Sequence, residues 1–174
     1  MSTRANSTVL LIAVAMLFVA LQMNAQRIGY INTEKILSVI PEYKSAQKEL
    51  ENLSKQYSQK IESEYSKIET LYQTYQQQKG TLSAQARAQR ENEIISREQT
   101  VKELQKTYFG QDGLMQKKSE ELLNPLKDRV DAAIKKIAEN GNFMIIFDAS
   151  LMQGVVYAKE SDDLSNLVIK ALGY

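Results

Sequence analysis

A long polar segment, residues 42–124, is the feature that most constrains how this chain can fold. The segment is rich in Gln, Glu, Lys and Ser, and its apolar residues recur at helical spacing. Short segments rich in strand-forming residues flank it, at positions 27–32 and 143–158. The order strand, helix, reversal, helix, strand predicts a long antiparallel helical-hairpin arm on a small β-strand base, in the α+β class.

The outgoing half of the arm carries a nearly continuous apolar stripe. Its steps of three and four residues average about 3.56, between the heptad period and that of a straight helix. Three successive steps of four predict a local stutter near Ile61. The stripe consists of Tyr43, Ala46, Leu50, Leu53, Tyr57, Ile61, Tyr65, Ile68, Tyr72 and Tyr75. The return stripe is sparser and consists of Leu82, Ala86, Ile94, Val101, Leu104, Tyr108, Met115 and Leu122.

Glycines mark the places where the arm should reverse or flex. Gly80 suits the end of a helix, and Thr81 or Ser83 can cap the helix that follows. Gly110 and Gly113 fall inside the predicted return helix. Each costs about 1 kcal/mol relative to Ala in a helix interior, so we expect a kink or a flexible joint at these two positions.

The two prolines lie at the ends of the arm, where residues 26–41 and 125–174 form the predicted base. A short helix is expected at 34–39, and Pro41 either stops it or begins the next helix. Pro125 lacks a backbone N–H donor, so it should bend the return helix where the arm meets the base.

The second part of the base alternates strand and helix signals. Residues 143–147 and 155–158 are predicted strands with a turn between them. A last helix is expected at 163–172, with Ser161 or Asp162 as its cap. A base of this size buries only about 60% of the surface that its unfolded chain exposes.

Both faces of the predicted base strands carry large apolar side chains, so both need cover. Alternation along the strand places Phe143, Ile145 and Phe147 on one face and Met144 and Ile146 on the other. The last helix or another subunit can cover the second face, which favours homo-oligomerisation through the base. The candidate oligomer residues are Ile28, Tyr30, Phe143, Ile145, Phe147, Val155 and Tyr157.

The first 25 residues have the pattern of a cleaved secretory signal peptide. Arg4 is the only charged residue before Arg27, an apolar run fills positions 9–21, and Ala25 supplies a small residue at a cleavage point. The pattern predicts export of the mature chain. An uncleaved N-terminal anchor is the alternative.

Composition argues against catalysis and against nucleic-acid binding. The chain contains no His and no Cys, which removes the commonest general base, the thiol nucleophile and the usual zinc ligands. We therefore expect no enzyme activity and no cofactor. Loss of the leader with Arg4 leaves 21 basic and 21 acidic residues, so there is no global charge that would attract nucleic acid.

Tyrosine is unusually frequent on the arm, and its ring suits surfaces that are alternately wet and covered. One interpretation is that the rings only fill the seam against the return helix. The other is that some rings contact unfolded apolar segments of client proteins. The client-contact candidates are Tyr57, Tyr65, Tyr72, Tyr75, Tyr108 and Met115.

Three basic residues, Lys79, Arg87 and Arg90, surround the predicted tip of the arm with no acid between them. They form either a solvated tip or a contact for anionic lipid or an acidic client.

The chain resembles the Skp/OmpH family of periplasmic chaperones over its whole mature length. The resemblance rests on the order of several motifs around a helical arm of this length. These are Ile28-Gly29-Tyr30-Ile31-Asn32-Thr33-Glu34-Lys35-Ile36-Leu37, Leu122-Leu123-Asn124-Pro125-Leu126, Val130-Asp131-Ala132-Ala133-Ile134, Phe147-Asp148-Ala149-Ser150, Val156-Tyr157-Ala158 and Asp162-Asp163-Leu164-Ser165.

The resemblance implies a trimer with a central β-barrel body and three helical-hairpin arms around a cavity. It implies ATP-independent holding of unfolded outer-membrane proteins in the periplasm. The best-known member of the family is strongly basic whereas this chain is neutral, so no lipopolysaccharide or membrane site is carried over.

A structural coiled-coil spacer or adaptor of the cell envelope is the alternative function. A spacer should have a seam well filled with Leu and Ile, whereas this stripe contains Tyr, Ala and gaps. The packing of the arm should therefore separate the two hypotheses.

Overall fold

The computed structural model describes residues 27–174, and the predicted signal peptide lies outside them. The fold is mostly helical, with a long helical hairpin and a small two-stranded sheet. In chain order the elements are β1 (Arg27–Ile31), α1 (Thr33–Ser38), α2 (Pro41–Gln78), α3 (Ala84–Phe109), α4 (Leu114–Gly141), β2 (Phe143–Asp148), a 3-10 turn (Glu160–Asp162) and α5 (Ser165–Ala171).

The described residues divide into two compact units. The strand unit comprises residues 27–34 and Ala133–Gly173. The hairpin unit comprises Lys35–Ala132 together with Tyr174.

The strand unit is built on the parallel pairing of β1 with β2, in which Tyr30 lies opposite Phe147. A further short bridge joins Tyr30 to Asp163, and the Leu164 N–H donates to the Tyr30 carbonyl at 2.8 Å. Gly29 lies where these elements meet, because a Cβ at this position would be 2.6 Å from Leu164 Cδ1. The glycine therefore lets the chain before α5 approach β1 closely.

The predicted strand at 155–158 is wrong, because these residues are irregular in the structure. The described part of the chain offers them no cross-strand partner, and a strand without a partner leaves its backbone groups unpaired. The side chain of Val156 is 98% exposed and that of Tyr157 is 82% exposed. Strand-forming composition alone did not create a strand here.

The last helix begins two residues later than predicted. The 3-10 turn and the bridge of Asp163 to Tyr30 occupy the positions before it. The Asp163 carboxylate, rather than Ser161 or Asp162, accepts the Ser165 N–H at 2.8 Å.

The hairpin unit has a heptad seam between α2 and α3. Ile61, Ile68 and Tyr75 are buried at intervals of seven residues on α2, and Ile94 and Val101 are buried at the same interval on α3. Leu71, Leu82, Leu104 and Tyr108 pack around this cluster. The seven-residue period holds from Ile61 to Tyr75, whereas the preceding buried residue of α2, Ala46, lies fifteen residues before Ile61, one more than two heptads. The predicted stutter near Ile61 therefore stays a prediction. Tyr65 and Tyr72, which belong to the predicted stripe, are exposed.

Local signals place both ends of α2 and the start of α3 where the sequence predicted them. Pro41 lies in the first turn of α2, where its missing N–H costs no hydrogen bond. The Ser83 hydroxyl accepts the Ala86 N–H at 3.2 Å and caps α3. Gly80 lies in the turn between the two helices.

The return limb is two helices rather than one, because α3 ends at Phe109 and α4 begins at Leu114. Gly110 and Gly113 were predicted inside a helix, but they form the turn between these helices. Asp112 has a positive φ of 59°, and a Cβ on Gly110 would be 2.4 Å from the Lys106 carbonyl oxygen. The structure thus uses the glycines for a tight break, whereas α4 continues through Pro125.

Replacing Ile68 by Ala should destabilise the hairpin unit by about 2–5 kcal/mol, because it empties a buried seam position. Hydrogen exchange should show lost protection in α2 and α3. Ile95→Ala is the matched control, since Ile95 is on α3 and 51% exposed. Equal losses of stability in Ile68→Ala and Ile95→Ala would contradict the burial of Ile68 in a packed seam.

Candidate functional site

Two tyrosines on α2 are exposed outside the packed seam. Tyr65 and Tyr72 are 42% and 48% exposed, and they are seven residues apart, so they lie on the same side of the helix. The open hollow beside Tyr65, about 760 Å³, is otherwise lined mainly by polar and charged side chains. These two rings therefore provide apolar surface to solvent along a mainly polar helix.

Two other candidate rings contact each other within the hairpin. Tyr57 on α2 stacks on Tyr108 in the last turns of α3, with ring centroids 4.0 Å apart and an interplanar angle of 4°. Phe109 meets the edge of Tyr57 at 6.2 Å. Both tyrosines are half-buried, so part of their surface is already used by this contact.

Tyr75 and Met115 differ from the exposed pair. Tyr75 is buried in the seam, and its hydroxyl donates to the Glu91 carboxylate, which raises the pKa of Tyr75. A client could reach this ring only if the seam opened. Met115 is half-buried in the first turn of α4.

The basic residues at the α2–α3 turn are partly engaged by the protein itself. Arg87 donates from Nε to the Leu82 carbonyl at 3.1 Å, and Arg90 pairs with Glu93 at 3.0 Å. The Lys79 ammonium lies 5.7 Å from the centre of the Tyr75 ring. Anionic-lipid binding at this tip stays a prediction.

A polar cluster that the sequence did not reveal joins α2 and α4. Arg129 donates to Glu42 at 3.1 Å, and the Tyr174 hydroxyl donates to the other Glu42 oxygen at 2.8 Å. The hydrogen bond from Tyr174 contributes most to lowering the pKa of Glu42, followed by those from the Glu42 backbone and from Arg129. Residues so far apart in sequence give no local signal of such a cluster.

The candidate oligomer residues lie in the strand unit, and most of them are exposed. Ile28, Ile145, Phe147, Val155 and Tyr157 are exposed, whereas Tyr30 and Phe143 are half-buried. The sequence did not single out Leu151, which is 81% exposed on the segment after β2. Large apolar side chains thus cluster on a two-stranded sheet and the chain beside it, which is unusual for a surface facing only water.

Two carboxylates hold the start of α1 against β2 and α5. The Thr33 N–H donates to Asp148 at 3.2 Å, and Ser150 donates to the same oxygen from its N–H and its hydroxyl. The Asn32 N–H donates to the buried Ser165 hydroxyl at 2.8 Å, and that hydroxyl donates to Asp163. The Asp-x-Ser pattern occurs in two motifs of the family resemblance, and in each the Asp accepts the N–H and the hydroxyl of the Ser.

Within residues 27–174 no group of His, Cys, Asp and Glu side chains is arranged to bind a metal ion. In the same range, no helix combines the length and the apolar character needed to cross a membrane.

The fold and these surfaces define a helical-hairpin protein with exposed apolar side chains on its arm and on its strand unit. The family model described as "Outer membrane protein (OmpH-like)" matches residues 27–172, so the chain belongs to the OmpH-like family. Membership of this family supports a chaperone role.

Two relatives named "Chaperone protein Skp" extend this result. The protein from Yersinia enterocolitica is 27% identical over 148 residues, which cover 85% of this chain and 87% of the relative. The protein from Pectobacterium atrosepticum is 26% identical over 147 residues, covering 84% and 85%.

A solved structure shares the fold. The crystal structure of an outer membrane chaperone described as OmpH-like, from Caulobacter crescentus, matches with a TM-score of 0.64 over 84% of this chain and 83% of that chain. Its sequence identity is 11%, so the likeness concerns the fold alone.

The contacts of Asp148 predict acid sensitivity in the strand unit. Burial on its own would raise the pKa of Asp148, but the hydrogen bonds from Thr33 and Ser150 outweigh it and hold the pKa below the ordinary value. Because the folded pKa is the lower one, the stabilisation is complete above about pH 4 and is lost as pH falls through the folded value.

We therefore expect the Thr33 amide to lose hydrogen-exchange protection, corrected for intrinsic rate, as pH falls below about 4. Asp148→Asn should lower this protection already at neutral pH and flatten its pH dependence. Asp131→Asn, at an exposed position of α4, is the control. An unchanged pH profile in Asp148→Asn would refute the role of this carboxylate.

Proposed function

We propose that this protein is an ATP-independent periplasmic holdase, which binds unfolded outer-membrane proteins and prevents their aggregation. The observation that carries the proposal is the exposed pair Tyr65 and Tyr72 beside a separately packed seam. Membership of the OmpH-like family supports the same role.

The chemistry of the arm suits holding without an energy source. Apolar burial supplies roughly 25 cal/mol per Å², so a few tyrosine rings give weak contacts that can be released. Polar residues around Tyr65 and Tyr72, such as Gln73, keep the helix soluble when no client is bound. Binding that is distributed over several such contacts tolerates many client sequences.

The working form in this proposal is a homotrimer whose strand units form a common β-barrel body. The exposed apolar side chains of Ile28, Ile145, Phe147, Val155 and Tyr157 support association through this unit.

The proposed compartment is the periplasm, reached by cleavage of the N-terminal leader. The apolar run at positions 9–21 supports export. A chain without Cys is also indifferent to the oxidising conditions of that compartment.

The spacer or adaptor hypothesis draws on the regular heptad seam of Ile61, Ile68, Ile94 and Val101. That seam is filled more evenly than the sequence suggested. It explains a stable hairpin, but it leaves the exposed Tyr65 and Tyr72 without a role, and the holdase proposal gives them one.

The test is light scattering of the mature chain, alone and mixed with a urea-diluted outer-membrane β-barrel protein, without ATP. We expect a trimer that keeps the client soluble in a defined complex. Tyr65→Ser/Tyr72→Ser should keep the trimer but need about threefold to tenfold more protein for the same suppression, because client-facing apolar area is lost.

The matched control is Gln73→Ser/Gln76→Ser, which changes two exposed polar residues on the same helix. This control variant should suppress client aggregation as well as the wild type does. A stable oligomer that leaves the client to aggregate would refute the holdase and favour the spacer. If Tyr65→Ser/Tyr72→Ser suppressed client aggregation as well as the wild type does, these two rings would not belong to the client-binding surface.

The glycine turn between α3 and α4 is proposed as the flexible joint that lets the arm fit clients of different size. In Gly110→Ala/Gly113→Ala the present turn cannot persist, since added Cβ atoms would lie 2.4 Å and 2.8 Å from backbone oxygens. Ala also favours helix over Gly by about 1 kcal/mol per position. We expect higher helicity by circular dichroism and a narrower range of client sizes held in solution.

Gly80→Ala is the control, because nothing lies within 4 Å of a Cβ at that turn position. It should leave the client range unchanged. An equally wide range in the double variant would show that the joint does not serve client fitting.

A further inference from the structure

A groove in the strand unit combines an apolar floor with a basic rim. Its volume is about 560 Å³, within the size range of ligand sites in proteins. The apolar floor and wall come from three elements, α4, β2 and α5, with the residue that precedes α5. They consist of Ala133, Ile137, Phe143, Leu164, Leu167 and Ala171.

The charged residues that line the groove are all basic. Arg27, Lys136 and Lys170 lie at its edge, and none of the described lining residues is acidic. Lys136 and Lys170 are exposed, and the ion pairs seen within residues 27–174 do not include them. The groove therefore has a local positive charge although the mature chain is neutral.

Arg27 is held in position at this rim. Its guanidinium lies 4.3 Å from the centre of the Phe143 ring, and Nη1 donates to the Gly141 carbonyl at 2.9 Å. A guanidinium carries five N–H donors, so further donors remain for an anion. A cation fixed by its own protein binds a carboxylate with less loss of side-chain entropy than a free one.

The groove also offers polar groups suited to a peptide backbone. Asn140 and Gly141 belong to its lining, and Asn140 carries a side-chain amide. An amide can both donate and accept, which suits the last peptide group of a chain.

We propose that this groove binds the C-terminal residue of a client polypeptide. An apolar C-terminal residue carries a carboxylate and a large apolar side chain on the same Cα. The carboxylate of an Asp or Glu side chain has no such apolar group beside it. The carboxylate pairs with Arg27, Lys136 and Lys170, and the side chain lies against Phe143 and Leu167. This inference rests on the proposed function for the nature of its ligand.

The test uses fluorescence anisotropy of the full mature chain with an N-terminally labelled peptide that ends in Leu-Phe. The probe with a free carboxylate should bind about tenfold to a hundredfold more tightly than the same peptide amidated. Lys136→Gln/Lys170→Gln should reduce that preference, because two of the three cations at the rim are lost and Arg27 remains. Lys127→Gln/Lys135→Gln, two exposed lysines of α4 outside the groove, should preserve it at the same net charge.

Equal binding of the free and amidated peptides would overturn the proposal, as would binding of decanoate without binding of the peptide. Suppression of client aggregation by the wild type, measured in parallel, separates the groove proposal from the holdase proposal. Intact suppression with no carboxylate preference rejects the groove alone. Failure of suppression in the wild type rejects the holdase.

Discussion

The parallel pairing of β1 with β2 is the constraint on which the rest of the chain depends. Parallel strands cannot be joined by a tight turn, so residues 32–142 serve as their crossover connection. Closing a longer connection costs only about 0.6 kcal/mol per doubling of its length. A crossover can therefore grow into a long helical hairpin at little cost to the pairing that closes it.

Short polar contacts fix the chain directly after β1. The Asn32 N–H donates to Ser165 and the next N–H, of Thr33, donates to Asp148. Two consecutive backbone donors are thus satisfied by side chains from distant parts of the sequence, and this removes the penalty of leaving them unpaired near the start of α1. These contacts fix the backbone at residues 32 and 33, between β1 and α1.

One helical register of α2 divides its aromatic residues between two roles. Burial of Ile61, Ile68 and Tyr75 places Tyr65 and Tyr72 outside the seam, because both series repeat every seven residues. The sequence predicted the long helices, their reversal and both strands of the sheet, since each has a local signal, and it gave Ser83 as one of two candidate caps of α3. It could not choose between Leu71 and Tyr72 for the seam, because both fit an apolar stripe and only packing against α3 decides. The strand at 155–158 failed for a related reason, since a strand depends on a partner that composition does not supply.

The exposed apolar surface of the strand unit argues that this unit works in association. A two-stranded sheet is marginal in water, and the segment after β2 exposes Leu151, Val156 and Tyr157 almost fully. With 22 basic and 21 acidic residues, the chain has little net charge to keep copies apart. Such a surface would promote irregular aggregation unless a specific partner covered it. In the proposed trimer, the strand units of the other copies would provide this cover and so keep the protein itself in solution.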